Sequence, residues 1–268
     1  MKNRVIIFIS LFLLCFTWGT PIHASSTTAY EDYLYQSDVY RTKQIEFRVA
    51  RDEYLKYKTL ISESNSLEKT KIMLSQRAVL LKSYLFLLNE KLNEDGGLRT
   101  SEKQLYQTLI KNETTFLDDH AELISEIGTI DDAINVGREF ESHYKIMQAS
   151  IRQTIVALSM GTMNIYALQF QNLYNKAQET AKKNRQAYIP QKQSIMDRWL
   201  IQISNKFSLY QQKMDGVAQS SAGFKTASLE QMDTMLVNAQ KDMQDAQQYM
   251  VEGTAFMQEL LNAMKYKN

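Results

Sequence analysis

Residues able to do acid–base or metal chemistry are scarce in this chain. Beyond the first 24 residues there are two histidines, His120 and His143, and no thiol, because the only cysteine is Cys15. No G-x-S-x-G elbow, no phosphate-cradling glycine loop ending in Lys-Ser/Thr and no H-E-x-x-H pair occurs. The spacings that build the familiar nucleophilic and zinc sites are therefore missing. Helical proteins also hold di-iron centres through a Glu three residues before a His, but Leu117 stands three before His120 and Phe140 three before His143.

One looser cluster flanks Gly128. Asp118, Asp119, His120 and Glu122 precede it, and Asp131, Asp132, Glu139 and His143 follow. In an antiparallel helical hairpin the rise per residue puts His120 about 12 Å and His143 about 22 Å from the turn, so the two imidazoles are not expected to share a metal. The bland reading is a solvated acidic face with carboxylates at a helix start. A cell-wall or glycan hydrolase built on two carboxylates there is a third class of reading, and the sequence singles out no pair for it. No catalytic residue, metal ligand, cofactor or small-molecule substrate is expected.

Contact residues are more conspicuous. Tyr33, Tyr40, Phe47, Tyr54 and Ile61 follow one another at intervals of seven, with Tyr30, Tyr35 and Tyr57 nearby. Tyrosine offers apolar area with a polar tip and suits a protein or glycan contact, although a row at sevens is also what a buried seam looks like. Tyr35 falls off the row and is the better candidate for an exposed contact. A second seam lies near the C-terminus. Leu229, Leu236, Met243, Met250, Met257 and Met264 share one heptad position, and Met232, Ala239, Ala246, Gly253 and Leu260 lie three places later. Flexible Met beside Ala and Gly implies a narrow seam, covered by a partner or by another helix of the same chain. The candidate partner-binding residues are Tyr30, Tyr33, Tyr35, Tyr40, Tyr54, Met243, Met250 and Met257.

Helices must position these rows, because apolar residues recur at three and four rather than alternating. The expected helices are 29–62, 66–94, 99–127, 130–186, 190–215 and 228–266. Leu67, Leu74, Leu81 and Leu88 repeat one residue out of register with the tyrosine row, so a kink or short break is expected at Ser64-Asn65-Ser66, where Asn65 and Glu68 are spaced as a capping box. Asp95-Gly96-Gly97 and Gly128 read as turns, Thr129 as a helix cap, Gly216 to Thr226 as a loop, and Ser228 with Gln231 as a further cap. Gln153 to Asn175 holds no charge over 23 positions, 13 of them apolar. A membrane-entering segment is one reading of that stretch. A helix enclosed by its neighbours is the other, and the six Asn and Gln side chains favour it.

Residues 1–24 have the form of an export signal. Lys2 and Arg4 make a basic head, Val5 to Trp18 a fourteen-residue apolar run, and Gly19 and Pro21 a stop before Ile22-His23-Ala24. The run is too short to span a bilayer, and cleavage after Ala24 is expected. The remaining 244 residues carry 29 basic and 30 acidic side chains, a formal charge of −1 that argues against a polyanion as main partner. Two prolines and nine glycines in the whole chain are too few to punctuate an all-β fold.

The sequence thus points to an all-α fold, an elongated antiparallel helical bundle with coiled-coil-like long helices in one domain over 25–268. Its expected place is secreted or extracytoplasmic, in a periplasm or at a cell surface. Its expected role is a non-catalytic scaffold or interaction protein that binds a protein partner or itself through aromatic or apolar helix faces, and not nucleic acid. The alternative is a membrane-active or pore-forming bundle using 153–175.

Overall fold

The computed structural model describes residues 24–265, and they are helical almost throughout, with no strand among them. Six helices follow in order: α1 Ala24–Tyr57, α2 Leu60–Glu94, α3 Thr100–Glu126, α4 Ile130–Asn184, α5 Pro190–Ala222 and α6 Leu229–Lys265. Short 3₁₀ turns, Arg185–Ala187 and Gly223–Lys225, precede α5 and α6. Residues 1–23 of the expected export signal lie outside the described residues, and the position of the expected cut, after Ala24, coincides with the start of α1.

Local chemistry explains most boundaries. The Thr129 side chain accepts from the Asp132 N–H while Asp132 accepts from the Thr129 N–H, so α4 starts in a capping box with two acids in its first turn. Pro190 opens α5 at a position where its missing N–H costs no helical bond. Ser228 and Gln231 exchange the same pair of bonds before α6.

Two boundaries differ from expectation. The first break falls at Lys58-Thr59 rather than 64–66, so helices expected at 29–62 and 66–94 are 24–57 and 60–94. Thr59 and Ser62 form the capping box there, and Lys58 takes φ 49°, in the left-handed region. The chain does not kink at this point but reverses. Ser26 N donates to Glu94 (3.1 Å), Gln76 to Gln36 (2.8 Å) and Lys69 to Glu46 (3.1 Å), so α1 runs antiparallel along α2. Further on, α5 continues to Ala222 instead of ending at 215, because Val217 extends the inward row of Tyr210 and Met214 and is fully buried.

The 55-residue α4 passes through two cores. Its first half packs with α2 and α3, where Leu85 and Leu92, Leu117, Phe140 and Met147 are buried together. Its second half packs with α5 and α6 around Val156, Phe170, Ile203, Val217, Met232 and Leu260. A smaller group, Leu74, Ile124, Ile127 and Ala133, closes the α3–α4 turn. Each such side chain contributes about 1.5–3 kcal/mol when taken out of water.

Between the cores, the turn after α2 sits on α4. A Cβ on Gly97 would lie 1.8 Å from the Gly161 carbonyl oxygen, and one on Gly161 would lie 2.4 Å from the Asp95 carboxylate. Asp95 is held there by the Gly97 and Leu98 N–H groups (2.8 and 2.7 Å), and Asn164 donates to the Gly97 carbonyl. On another flank of α4, Gln153 donates to the Ser221 carbonyl and the Tyr210 hydroxyl to the Met163 carbonyl. Enclosure therefore holds for 153–161, where no residue is exposed, but not for the rest of the uncharged stretch: Asn164, Leu168, Gln169, Gln171, Asn172, Leu173 and Asn175 face solvent, so burial does not account for the missing charges there. No helix of the described residues is long and apolar enough to cross a membrane.

Candidate functional site

Polar side chains meet inside the first core. On α3, Ile110, Leu117 and Ile124 line the inward row, and Glu113 and His120 interrupt it at the intervening heptad position, both buried. One Glu113 oxygen lies 2.7 Å from His143 Nε2 and the other accepts from the Ser150 hydroxyl at 2.8 Å, both partners coming from α4. Phe116 stacks on His143 with ring centres 3.6 Å apart, and its ring is also nearly parallel to that of His120 at 5.8 Å. Arg77 of α2 lays its guanidinium 3.7 Å from the centre of the Phe140 ring. Among the described residues neither ring nitrogen of His120 has a hydrogen-bond partner, nor do Nε and Nη2 of Arg77. Burial, reinforced by the Arg77 charge, pushes the His120 imidazole down to about 4. Burial likewise lowers the Arg77 guanidinium.

The wiring of this cluster decides what it can do. Ser150 and His143 bind opposite oxygens of one carboxylate rather than each other, so the imidazole is not placed to take the hydroxyl proton. Ser150, Glu113 and His120 are all buried. The arrangement fixes α3 against α4.

The acids around Gly128 go elsewhere. Asp118 pairs with Lys82, and Asp132 is held below the usual carboxylate range first by the Thr129 hydroxyl and then by the Gly128 and Thr129 N–H groups. Asp119, Glu122, Asp131 and Glu139 face solvent. Among the described residues no three His, Cys, Asp or Glu side chains are grouped to hold a metal ion. Of this cluster only His120 and His143 are marked out by residue type in the sequence, whereas Arg77, Glu113, Phe116 and Ser150 join it only in the fold. The available signal was the inward heptad position that Glu113 and His120 share with Ile127.

The second candidate is the arm formed by α1 and α2. The tyrosine row is its inner face: Tyr33 rests on Tyr84 of α2 at 5.1 Å, and Tyr40 and Tyr54 are half-buried. Tyr30 and Tyr35 are exposed. Ile61, at the end of the same sequence row, belongs to α2 and faces solvent. Met243, Met250 and Met257 are buried by α4 and α5, so their seam is filled within the chain and offers no surface.

Opposite the tyrosine row, α1 carries an uncovered face. Tyr30, Leu34, Ile45 and Val49 are all exposed there, Val49 at 64%, with Glu31, Asp38, Arg41 and Arg48 between them. At about 100° per residue these eight positions fall within roughly a 100° arc. The arm also projects. Lys71 donates to the Ile127 carbonyl and so marks the level of the α3–α4 turn, and Leu60 lies eleven residues further out, about 16 Å along the helix. At the apex Leu60 and Ile61 are 85% and 84% exposed, with Leu55 and Tyr57 beside them.

Nearer the base of the arm, Asp32, Val79, Lys82, Phe86, Ile110 and Thr114 line an open groove of about 570 Å³ between α1, α2 and α3. No protein-family model, curated protein or solved structure matches the chain.

Proposed function

We propose that this protein is an exported, non-catalytic helical scaffold or interaction protein. In this reading it is an elongated antiparallel bundle with coiled-coil-like helices that acts by contact through the α1–α2 arm. The observation that carries the reading is the unshared outer side of α1: its packing partner is α2, and its opposite side keeps four large apolar side chains in water. Such a row is an interaction surface by default, because exposed apolar area gains free energy when covered. The test is a photo-crosslinking residue at Tyr35, beside that face, and at Gln171 on exposed α4 as control, in cells that make the protein. An adduct from Tyr35 and none from Gln171 is expected. Absence of an adduct from Tyr35 and from a second probe at Tyr30 would remove the reading.

A second reading, contact with a lipid surface, is favoured by the apex. Residues 54–62 combine Leu55, Tyr57, Leu60 and Ile61 with Lys56 and Lys58 and contain no acid. Two lysines beside a convex apolar tip suit an anionic bilayer, where each contributes about 1 kcal/mol. Co-sedimentation with vesicles of equal phosphatidylglycerol and phosphatidylcholine tests it. Binding that is lost in Leu60→Asp/Ile61→Asp, without dye release, is expected. Dye release that survives this change would point instead to the pore reading and residues 153–175.

A further inference from the structure

The outer face of α1 has a symmetry that its exposure alone does not require. In an antiparallel helix pair, residue i faces residue j wherever the two numbers have a constant total, and a face that pairs with its own copy obeys the same rule from both sides. For a total of 79, Tyr30 is level with Val49, Leu34 with Ile45, Asp38 with Arg41 and Glu31 with Arg48. All eight are exposed, and in the middle of the arc, where 34 and 45 lie within about 10° of its centre and 38 and 41 within about 30°, apolar faces apolar and acid faces base, with the outer four about 50° to either flank. Registers one turn away lose the match: a total of 83 sets Asp38 against Ile45, and 75 sets Leu34 against Arg41. Within one chain Asp38 and Arg41 already form a pair at 3.1 Å, both largely exposed, so two copies would close a four-membered charge network at the centre.

We propose that the outer face of α1 pairs with the same face of a second copy of this chain, antiparallel, about a two-fold axis level with the Val39–Tyr40 peptide. This deepens the contact reading by naming the occupant of its surface. Pairing buries Leu34 and Ile45 on either side of the charged centre, and it sends the two projecting tips to opposite ends of the dimer. Tyr35, at the flank of the face, stays within reach of the second copy.

The test combines mass and register on the purified protein. Light scattering after size exclusion at tens of micromolar should give twice the chain mass, falling to one chain in Leu34→Glu/Ile45→Glu with unchanged circular dichroism. Asp38→Arg alone and Arg41→Asp alone should each weaken the dimer about tenfold or more. Mixing the two variants should restore it, because every 38–41 contact across the axis then again sets a base from one chain against an acid from the other. In a Cys15→Ser background, a Leu34→Cys chain mixed with an Ile45→Cys chain should oxidise to the mixed disulfide in preference to either homodimer.

A monomer at these concentrations, a dimer indifferent to the Leu34/Ile45 change, or a preferred disulfide between two Leu34→Cys chains would each overturn the pairing. The contact reading fails separately. A monomer whose Tyr35 probe still crosslinks to a different protein overturns self-pairing alone, whereas a monomer with no adduct overturns both.

Discussion

The Glu113 carboxylate of α3 and the His143 imidazole of α4 meet at 2.7 Å in a core whose buried side chains are mostly apolar. The second carboxylate oxygen is taken by Ser150, so one buried acid ties down two side chains of the neighbouring helix. Removing the acid leaves a hydroxyl and an imidazole without their acceptor and opens a void. Glu113→Ala should therefore lose about 2–4 kcal/mol in urea unfolding. Glu113→Gln, which keeps an acceptor for Ser150, should lose less. Equal losses in the two variants would mean that the hydrogen bonds do not carry the effect.

His120 gives a pH dependence of known sign. In the folded chain burial, with Arg77 behind it, holds the imidazole down to about 4, whereas the unfolded chain protonates near the ordinary value of 6.5. Between those values the unfolded state gains a proton that the folded state refuses, so stability falls as pH drops from 6.5 towards 4 and this contribution levels off below. His120→Leu removes the effect and two unpartnered ring nitrogens with it. Urea midpoints at pH 7 and pH 4.5 should show the variant's advantage growing at the lower pH. Parallel pH slopes in the two proteins would refute the assignment.

Gly97 and Gly161 set how closely the α2–α3 turn approaches α4. Gly97→Ala places a methyl 1.8 Å from the Gly161 carbonyl oxygen, a backbone atom that cannot swing aside. A loss of about 2–3 kcal/mol is expected, from overpacking and a displaced turn. Gly137, in the interior of α4, has nothing within 4 Å of its would-be methyl. Gly137→Ala should therefore gain roughly 0.5–1 kcal/mol through helix propensity. Thermal melts of the two variants should move in opposite directions, and a shared direction would show that the close approach is not stiff.

Much of this architecture is legible in the residues because period and punctuation agree. Thr129 with Asp132, Ser228 with Gln231 and Pro190 end or start helices where the apolar rows change, and α3, α4 and α6 lie close to their expected bounds. The α1–α2 hairpin is harder to read. A row at sevens carries period but not direction, so Tyr54 and Ile61 read as one stripe although the chain reverses between them. Two capping boxes compete there, Thr59 with Ser62 and Asn65 with Glu68, and spacing alone does not choose. The methionine seam has the converse difficulty: its width is readable, but whether its cover comes from α4 and α5 or from another molecule is not. Glu113 is hidden because a polar residue on an inward row looks like a gap in the pattern until its partners on α4 are known.

The reversal itself supplies the last prediction. Lys58 sits at φ 49°, a conformation in which an L side chain crowds its own backbone and glycine does not. Its N–H still donates to the Tyr54 carbonyl at 2.8 Å, so the backbone geometry of the turn is independent of the side chain. Lys58→Gly should relieve the strain and raise stability by roughly 0.5 kcal/mol, net of the extra freedom glycine brings to the unfolded chain. Thr59→Ala acts the other way, because the Thr59 hydroxyl caps the Ser62 N–H, and about 1 kcal/mol should be lost. If the arm unfolds apart from the rest, hydrogen exchange will register both changes in α1 and the outer end of α2 while α5 and α6 stay unaltered. Changes spread evenly over all six helices would instead mean that the arm and the two cores unfold as one unit.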